Sequence, residues 1–247
     1  MKRRTFLQQA GVLLAGATTA VAAEEEPAQP QGDSPENGRP TVLLTAAESD
    51  LGKVLADALR NGFQTRPANG PLVRDDAGSL ERLLDGVNAV VCFAPPAEGG
   101  AGAELLDRRM RGAYDLLTVA AASGVELVVY LSSLRLVAGY DPNYQVDEDW
   151  QPVPGTDPEQ LSHYLAEYVC REFARERKLR VIVLRLGEIV HGEPPRGRAA
   201  DLPWVSQADA VQAVRLALEA HFGARGAGMR PWNVLHIAAD VRGGRFP

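Results

Sequence analysis

Cysteine is scarce in this sequence of 247 residues, and positive charge does not dominate it. The two cysteines, Cys92 and Cys170, have no metal-ligand spacing, and a single pair cannot build a disulfide framework. Both stand in apolar surroundings, so we expect two separate buried thiols. The formal net charge is −6, which removes the basic footprint that binding of nucleic acid requires. Nucleic acid is therefore not an expected partner.

A long apolar run is missing from the N-terminus. Residues 12–22 are only mildly apolar and are interrupted by Gly16 and Thr18, so stable membrane insertion after processing is not expected. The stretch instead has the order of a signal peptide, with basic residues first, an apolar centre next and an A-x-A cleavage site at residues 20–22.

The pair Arg3-Arg4 is followed one residue later by Phe6-Leu7. This arrangement resembles a twin-arginine export signal, which a receptor reads. An ordinary secretory signal and an uncut signal-anchor are the alternatives. We divide the chain into a signal peptide at residues 1–23, a flexible charged linker at 24–39 and a folded domain at 40–247. The resemblance implies an exported protein of the periplasm or another extracytoplasmic space.

Apolar runs of strand length alternate with segments of helical periodicity along the folded part. The pattern predicts strands at 42–44, 63–66, 88–93, 125–131, 180–184 and 232–237. It predicts helices from 51 and at 79–84, 103–122, 158–177 and 206–220, with a loop at 187–205. Strands that alternate with helices form a mostly parallel sheet through right-handed crossovers. The predicted fold class is a single doubly wound α/β domain with helices on both faces of the sheet.

Glycine is scarce where a nucleotide-binding chain most needs it. Residues 41–52 read as a buried strand, a small-residue turn and the start of an amphipathic helix. The pyrophosphate of a dinucleotide usually lies on such a helix N-terminus, against a glycine-rich turn. Gly52 is the only glycine in this stretch.

Several segments together resemble the extended or atypical short-chain dehydrogenase/reductase family, the group of nucleotide-sugar epimerases and dehydratases. They lie at 41–52, 85–94, 128–139, 161–167, 179–192, 204–214 and 232–240. The resemblance covers residues 40–247 and implies a Rossmann-type domain that binds NAD or NADP. It places the cofactor against Thr45, Ala47, Ser49, Asp50, Leu51, Arg66, Phe93 and Ala94.

The turn departs from the T-G-x-x-G-x-x-G pattern of that family at two glycines, which are Ala46 and Ser49 here. A Cβ at the tight turn and a side chain where the pyrophosphate should approach both oppose binding. The neighbouring carboxylates of Glu48 and Asp50 would repel a phosphate at close range. Ser49 or Asp50 would then cap the helix. The alternative is that both acids point into solvent and leave the backbone amides available.

The adenosine end departs as well. No acid follows the second strand to hold a ribose 2′-hydroxyl, whereas Thr65-Arg66 suits a 2′-phosphate. The alternative for Arg66 is a solvated loop cation. Asp75 and Asp76 resemble the acidic residues that the family places near adenine.

The catalytic positions of the family are replaced throughout. The family uses a Tyr as general acid/base, a Lys four residues later that lowers the pKa of that Tyr, and a Ser or Thr that binds the substrate oxygen. The match places Glu159 at the Tyr, His163 at the Lys and Leu134 at the Ser or Thr. Ser133, beside Leu134, is retained and completes our candidate catalytic set of Glu159, His163 and Ser133.

Glu159, His163 and Glu167 are spaced by four residues and should share one helix face. An imidazole between two carboxylates would have a raised pKa and could move protons or hold a metal, with His191 as a further ligand. The alternative is a solvated surface stripe, and no metal site is predicted.

These replacements favour a catalytically degenerate protein with weak or no dinucleotide binding and a small-molecule ligand or none. The alternative is an active NAD(P)-dependent oxidoreductase or sugar epimerase/dehydratase that uses Glu159 and His163 in altered roles. The short stretch from 187 to 206 leaves little chain for a large nucleotide sugar. By resemblance, the helices that begin at 103 and 158 would form the face of a homodimer.

Overall fold

The computed structural model describes residues 38–69, 72, 78–93, 102–191, 203–223, 228–239 and 244–246. The predicted signal peptide and nearly all of the predicted linker lie outside these residues. Within them, no helix combines the length and the apolar character that a membrane crossing needs.

Strands and helices alternate along the chain as the sequence predicts. The strands are β1 Thr41–Thr45, β2 Gln64–Ala68, β3 Ala89–Phe93, β4 Leu127–Ser133, β5 Arg180–Leu186, β6 Glu188–Val190, β7 Trp204–Ser206 and β8 Trp232–Ile237. The helices are α1 Asp50–Leu59, α2 Ser79–Leu84, α3 Ala103–Ala122, α4 Pro158–Arg175 and α5 Gln207–Phe222, with a short 3-10 helix at Leu134–Val137.

Six strands form one parallel sheet in the order β2-β1-β3-β4-β5-β8. The chain runs outward from β1 to β2 and then crosses back to β3 on the other side of β1. The strand order therefore reverses between β1 and β3, and ligands of doubly wound folds bind at such a point, outside the carboxyl ends of the strands.

Two apolar cores cover the two faces of the sheet. α1 and α5 pack on one face through residues such as Leu55 and Val214, and α2, α3 and α4 pack on the other. The central strands β1 and β3 are buried on both faces, which explains why they read as continuous apolar runs. The predicted doubly wound α/β class is confirmed.

The prediction of a loop at 187–205 is wrong at both of its ends. β6 and β7 pair there as a separate parallel sheet of two strands, and β6 begins one residue after Gly187. A Cβ on Gly187 would lie 2.8 Å from the carbonyl oxygen of Pro203. The missing side chain therefore lets the segment before β7 approach β5 and β6 closely.

Both cysteines are free thiols, as expected. Cys170 is buried on α4, whereas Cys92 on β3 is only half-buried by accessible surface. Desolvation raises the pKa of the Cys92 thiol to about 12, against the opposing hydrogen bond with Thr45. A thiol in this state is inert at neutral pH.

Candidate functional site

Thr45 ties the ends of β1 and β3 together at the point where the strand order reverses. Its hydroxyl donates to the carbonyl oxygen of Phe93 at 3.1 Å and accepts from the Phe93 amide at 2.9 Å. Thr45 and Phe93 are both buried. The structure thus brings these two predicted cofactor-binding residues together, and Ala94 lies outside the described residues.

The turn after β1 keeps the backbone shape of a glycine turn without its glycine. Ala46 has a φ of 47° and lies in the left-handed region. That conformation costs a residue with a Cβ about 1–2 kcal/mol. Gly52, on the first turn of α1, lets the helix approach this turn closely, because a Cβ there would lie 2.5 Å from the carbonyl oxygen of Ala46.

The side chain of Ser49 closes the N-terminus of α1. Its Oγ accepts from the Gly52 amide at 3.1 Å and donates to the carbonyl oxygen of Ala46 at 2.8 Å. Ser49 is the cap, as the first alternative states, and Glu48 and Asp50 are both exposed, as the second states. Asp50 follows on the first turn and is exposed, while Leu51 is half-buried against the core.

Glu48 and Asn69 join the turn to the end of β2 by two hydrogen bonds. The Glu48 amide donates to Asn69 Oδ1 at 3.2 Å, and Asn69 Nδ2 donates to Glu48 Oε1 at 3.0 Å. The Ala47 amide donates to the Ala68 carbonyl at 3.4 Å, and the Ser49 amide donates to the Ala46 carbonyl at 3.0 Å. The chain's own acceptors therefore bind several amides in the region where the family holds a pyrophosphate.

Arg66, the candidate for a 2′-phosphate, has structural partners. Its Nη1 donates to the carbonyl oxygens of Leu83 at 2.8 Å and Asp85 at 2.6 Å. These carbonyls lie at the C-terminus of α2, where a cation is stabilised by the helix dipole. The cofactor role of Arg66 stays a prediction, and Asp75 and Asp76 lie outside the described residues.

A cavity of about 260 Å³ brings the three candidate catalytic residues together. Ser133 lines it from the end of β4, and Glu159 and His163 line it from the first turns of α4. The rest of the lining consists of Arg135, Asp157 and Gln160. Ser133 Oγ accepts from the Arg135 amide at 3.2 Å and so caps the 3-10 helix. Leu134, at the family's Ser or Thr position, is buried.

Arg109 of α3 lies behind the cavity and contacts the start of α4. Its Nη1 donates to Ser162 Oγ at 2.9 Å, and its Nη2 lies 3.8 Å from Glu159 Oε1. The Ser162 hydroxyl in turn donates to the carbonyl oxygen of Glu159 at 2.6 Å. Arg109 is buried except for 7% of its side chain, whereas that of Glu159 is 62% exposed. The Glu159 carboxylate is therefore held at the rim of the cavity.

The expectation of a raised pKa for His163 is wrong. Desolvation by burial, followed by the positive charge of Arg109, lowers the His163 pKa to about 4. Glu167 does not face the imidazole as a free carboxylate, because both of its oxygens accept from Arg185 at 3.1 and 2.9 Å. His163 is consequently a neutral imidazole at neutral pH.

The solvated stripe is not observed either, because Glu167 and Arg185 form a buried ion pair between α4 and β5. Among the described residues, no group of three or more His, Cys, Asp or Glu side chains could hold a metal ion. His191 is exposed after β6.

Sequence reasoning missed Arg109, Arg135, Asp157 and Gln160. Asp157 caps α4 by accepting from the Gln160 amide at 2.9 Å, and the order Asp157-Pro158 is a helix-start signal that could have identified it. Arg109 is 53 residues from Ser162, so no local pattern indicates that the two meet.

Comparisons with known proteins agree with this architecture. The model of the NAD dependent epimerase/dehydratase family matches residues 57–202. A uronate dehydrogenase of Pseudomonas putida is 24% identical over 192 residues, which cover 72% of this chain and 70% of that protein.

Solved structures share the fold. The uronate dehydrogenase of Agrobacterium tumefaciens superposes with a TM-score of 0.69 at 19% identity, over 85% of this chain and 80% of that chain. The UDP-N-acetylglucosamine 4-epimerase of Bacillus cereus gives 0.62 at 16% identity, over 81% and 78%. A mutant of the Agrobacterium tumefaciens enzyme was solved in complex with NAD. The family match over more than half of the sequence confirms the resemblance, and the chain belongs to the NAD dependent epimerase/dehydratase family.

Proposed function

We propose that this chain is an exported, catalytically degenerate member of its family that binds dinucleotide weakly or not at all. The observation that carries the proposal is the state of the turn after β1. Ser49 caps α1, and Asn69 pairs with both the amide and the carboxylate of Glu48. A pyrophosphate would have to displace these contacts and approach the carboxylates of Glu48 and Asp50, which repel it.

The residues that line the cavity support the proposed loss of the general acid/base catalysis that the family performs. A Tyr–Lys pair works because the ammonium group lowers the pKa of the phenol toward neutrality. His163 at the Lys position carries no charge at neutral pH, since its pKa is lowered to about 4. Glu159 at the Tyr position contacts Arg109 instead. Neither residue reproduces the group that it replaces.

The remaining function is binding of a small polar molecule in the cavity, or a role without a ligand. A volume of about 260 Å³ accommodates a monosaccharide-sized molecule better than a nucleotide sugar. Two relatives are named as uronate dehydrogenases and one solved structure as a glucuronic acid dehydrogenase, so hexuronates are the first ligands to test.

A titration of the mature chain with NADH and NADPH tests the loss of cofactor binding. We expect no binding at micromolar concentrations. The matched variant Ala46→Gly/Ser49→Gly restores the two glycines, and it should bind more tightly because the Oγ contacts are gone. Glycine is itself an acceptable N-cap, so the variant should still fold. Micromolar binding by the unaltered chain would contradict the proposal.

An active oxidoreductase that uses Glu159 and His163 is the second candidate. One observation favours it, namely that both residues line one cavity with Ser133. Oxidation of any member of a panel of hexuronates and hydroxy acids, abolished by Glu159→Ala, would establish this second function. Under the leading proposal neither protein turns over any panel member with NAD or NADP.

Export is tested independently of the site. Residues 1–30 fused to a reporter should direct it out of the cytoplasm, and replacement of Arg3 and Arg4 by lysine should abolish the transfer. Unchanged export of the lysine variant would refute the twin-arginine route.

A further inference from the structure

Several buried polar atoms near the carboxyl ends of β4, β5 and β8 have no hydrogen-bond partner in the described parts of the chain. They are the Tyr130 hydroxyl, Ser132 Oγ, His163 Nδ1, Arg185 Nη1 and one ring nitrogen of His236, whose ring also contacts the Val146 backbone. Buried polar groups are nearly always satisfied in folded proteins, so unpartnered atoms in one region call for a physical explanation.

The strand register places three of these residues side by side. Ser132 pairs with Arg185, and Arg185 pairs with His236. Neighbouring strands are about 4.8 Å apart, and residues in register point to the same face of the sheet. Arg185 reaches Glu167 of α4, so the row Ser132–Arg185–His236 faces that helix. Ser132 and Arg185 are both more than nine-tenths buried.

His163 connects this region to the cavity. His163 lies one turn before Glu167 on α4 and lines the cavity, while its Nδ1 is buried. Tyr130 precedes Ser132 by two residues and faces the same helix. The unpartnered atoms therefore extend from the wall of the cavity into the core.

The charge balance restricts what could satisfy these atoms. Glu167 neutralises Arg185 through two hydrogen bonds, and the buried Arg109 has the Glu159 carboxylate 3.8 Å away. His236 is neutral, because desolvation and then the charge of Arg185 lower its pKa to about 3, and His163 is neutral for the analogous reason. An anion or a cation would add an uncompensated buried charge. Ser132 and Arg185 offer hydrogen-bond donors, and His163 and His236 each offer an acceptor nitrogen. This set suits a small neutral partner that both donates and accepts.

We propose that this region is an internal hydration site, in which ordered waters bridge Ser132, Arg185 and His236 and reach His163 Nδ1. Five polar atoms and about three hydrogen bonds per buried water correspond to about two waters. A water that is hydrogen-bonded to Nδ1 would fix the orientation of the His163 ring, with Nε2 directed toward the cavity. The hydration site thus positions a cavity residue, independently of whether a dinucleotide binds.

The variant Ser132→Ala tests the site in the full chain by urea unfolding. If waters bond its hydroxyl, removal should raise the unfolding equilibrium constant about two- to tenfold. Ser162→Ala is the matched reference, because Ser162 is equally buried and has two hydrogen-bond partners. An unpartnered hydroxyl predicts the opposite, since replacing it by a methyl group would leave stability unchanged or increase it. That result would overturn the proposal.

A second measurement needs no variant. Nuclear Overhauser effects between water and the ring protons of His163 and His236 should have the sign of long-lived bound water. His163→Gln should leave the effect at His236 in place, because Ser132 and Arg185 still hold the inner water. Absence of these effects from both rings of the unaltered chain would overturn the proposal, even if Ser132→Ala did not fold.

Discussion

Ala46 occupies a left-handed backbone conformation that glycine adopts more readily. We expect Ala46→Gly to increase the free energy of unfolding by up to about 1 kcal/mol. The relieved strain of about 1–2 kcal/mol exceeds the extra entropy that glycine gives the unfolded chain, about 0.4–1 kcal/mol. Urea unfolding measures the difference.

Ala47→Gly is the matched control for this prediction. Ala47 is adjacent and does not have a positive φ, so the same change should lower stability there. Two changes of equal sign and size would show that the turn is not strained at Ala46.

At the scale of elements, Gly52 fixes the distance between α1 and the turn after β1. A Cβ at this position would lie 2.5 Å from the carbonyl oxygen of Ala46 and 2.8 Å from the Cα of Ala47. Both neighbours are backbone atoms and cannot move without displacing β1. Gly52→Ala should therefore destabilise the fold by about 1–3 kcal/mol, or more, in thermal or urea unfolding.

Gly62→Ala separates this steric effect from the general effect of the substitution. Nothing lies within 4 Å of a Cβ at Gly62, and its φ is not positive. We expect a change within about 0.5 kcal/mol. Equal losses at Gly52 and Gly62 would contradict the close approach of α1.

The buried pair Glu167–Arg185 holds α4 on β5. Glu167→Gln should cost about 3–5 kcal/mol of unfolding free energy, because it leaves the Arg185 cation buried without its counter-charge. The double variant Glu167→Gln/Arg185→Met should lose less than the sum of the two single variants. A double-mutant cycle by urea unfolding measures this coupling.

An exposed pair provides the comparison. Nη2 of Arg111 lies 2.8 Å from Oδ1 of Asp107 on α3, and the two side chains are 60% and 58% exposed. Asp107→Asn should change stability by less than about 1 kcal/mol. A loss at Glu167 no larger than the loss at Asp107 would refute a strong buried pair.

Which elements could be read from the sequence depended on their length and periodicity. The bounds of α3 and β8 were predicted correctly, because a helix of 20 residues has clear periodicity and β8 lies between turn signals. β6 and β7 have three residues each, too few to show any period, and they were predicted as loop. The 3-10 helix was missed for the same reason.

For the candidate site, too, part could be predicted from the sequence and part could not. The resemblance to the family implied that Ser133, Glu159 and His163 share one site, and the three residues line one cavity. The lowered pKa of His163 could not be predicted, because it depends first on burial in the folded chain and then on the charge of Arg109 from another helix. The partners of Arg66 also come from a distant element, the end of α2.

At the scale of the whole molecule, two neutral histidines make stability depend on pH. His163 and His236 have folded pKa values of about 4 and 3, below the ordinary value of 6.5. The unfolded chain therefore binds protons between pH 6.5 and 4 that the folded chain excludes, so this contribution to stability is present above pH 6.5 and is lost as pH falls.

The measurement is the free energy of unfolding between pH 4 and 7 for the unaltered chain and for His163→Gln. The unaltered chain should lose stability more steeply on acidification. The slopes of unfolding free energy against pH should differ by an amount that corresponds to at most one bound proton. Parallel curves would show that His163 titrates normally. His191→Gln is the control for the loss of a histidine as such, because the side chain of His191 is exposed.

The outer surface of α3 and α4 contains a second cavity of about 500 Å³, lined by Tyr114, Phe173 and Lys178 among others. Tyr114 is 56% exposed there and contacts the ring of Phe173 edge-on, with centroids 6.0 Å apart. These are the two helices predicted to form a homodimer, and that assembly stays a prediction.

The hydroxyl of Ser49 also bears on how the stability of the protein depends on the concentration of dinucleotide. A ligand that binds only the folded state adds stability according to its free concentration relative to its dissociation constant. Ser49 satisfies the Gly52 amide from within the chain, so this contact at the helix N-terminus is made without a ligand. On the proposed loss of dinucleotide binding, the melting temperature should be the same in the presence and in the absence of dinucleotide, which thermal unfolding measures.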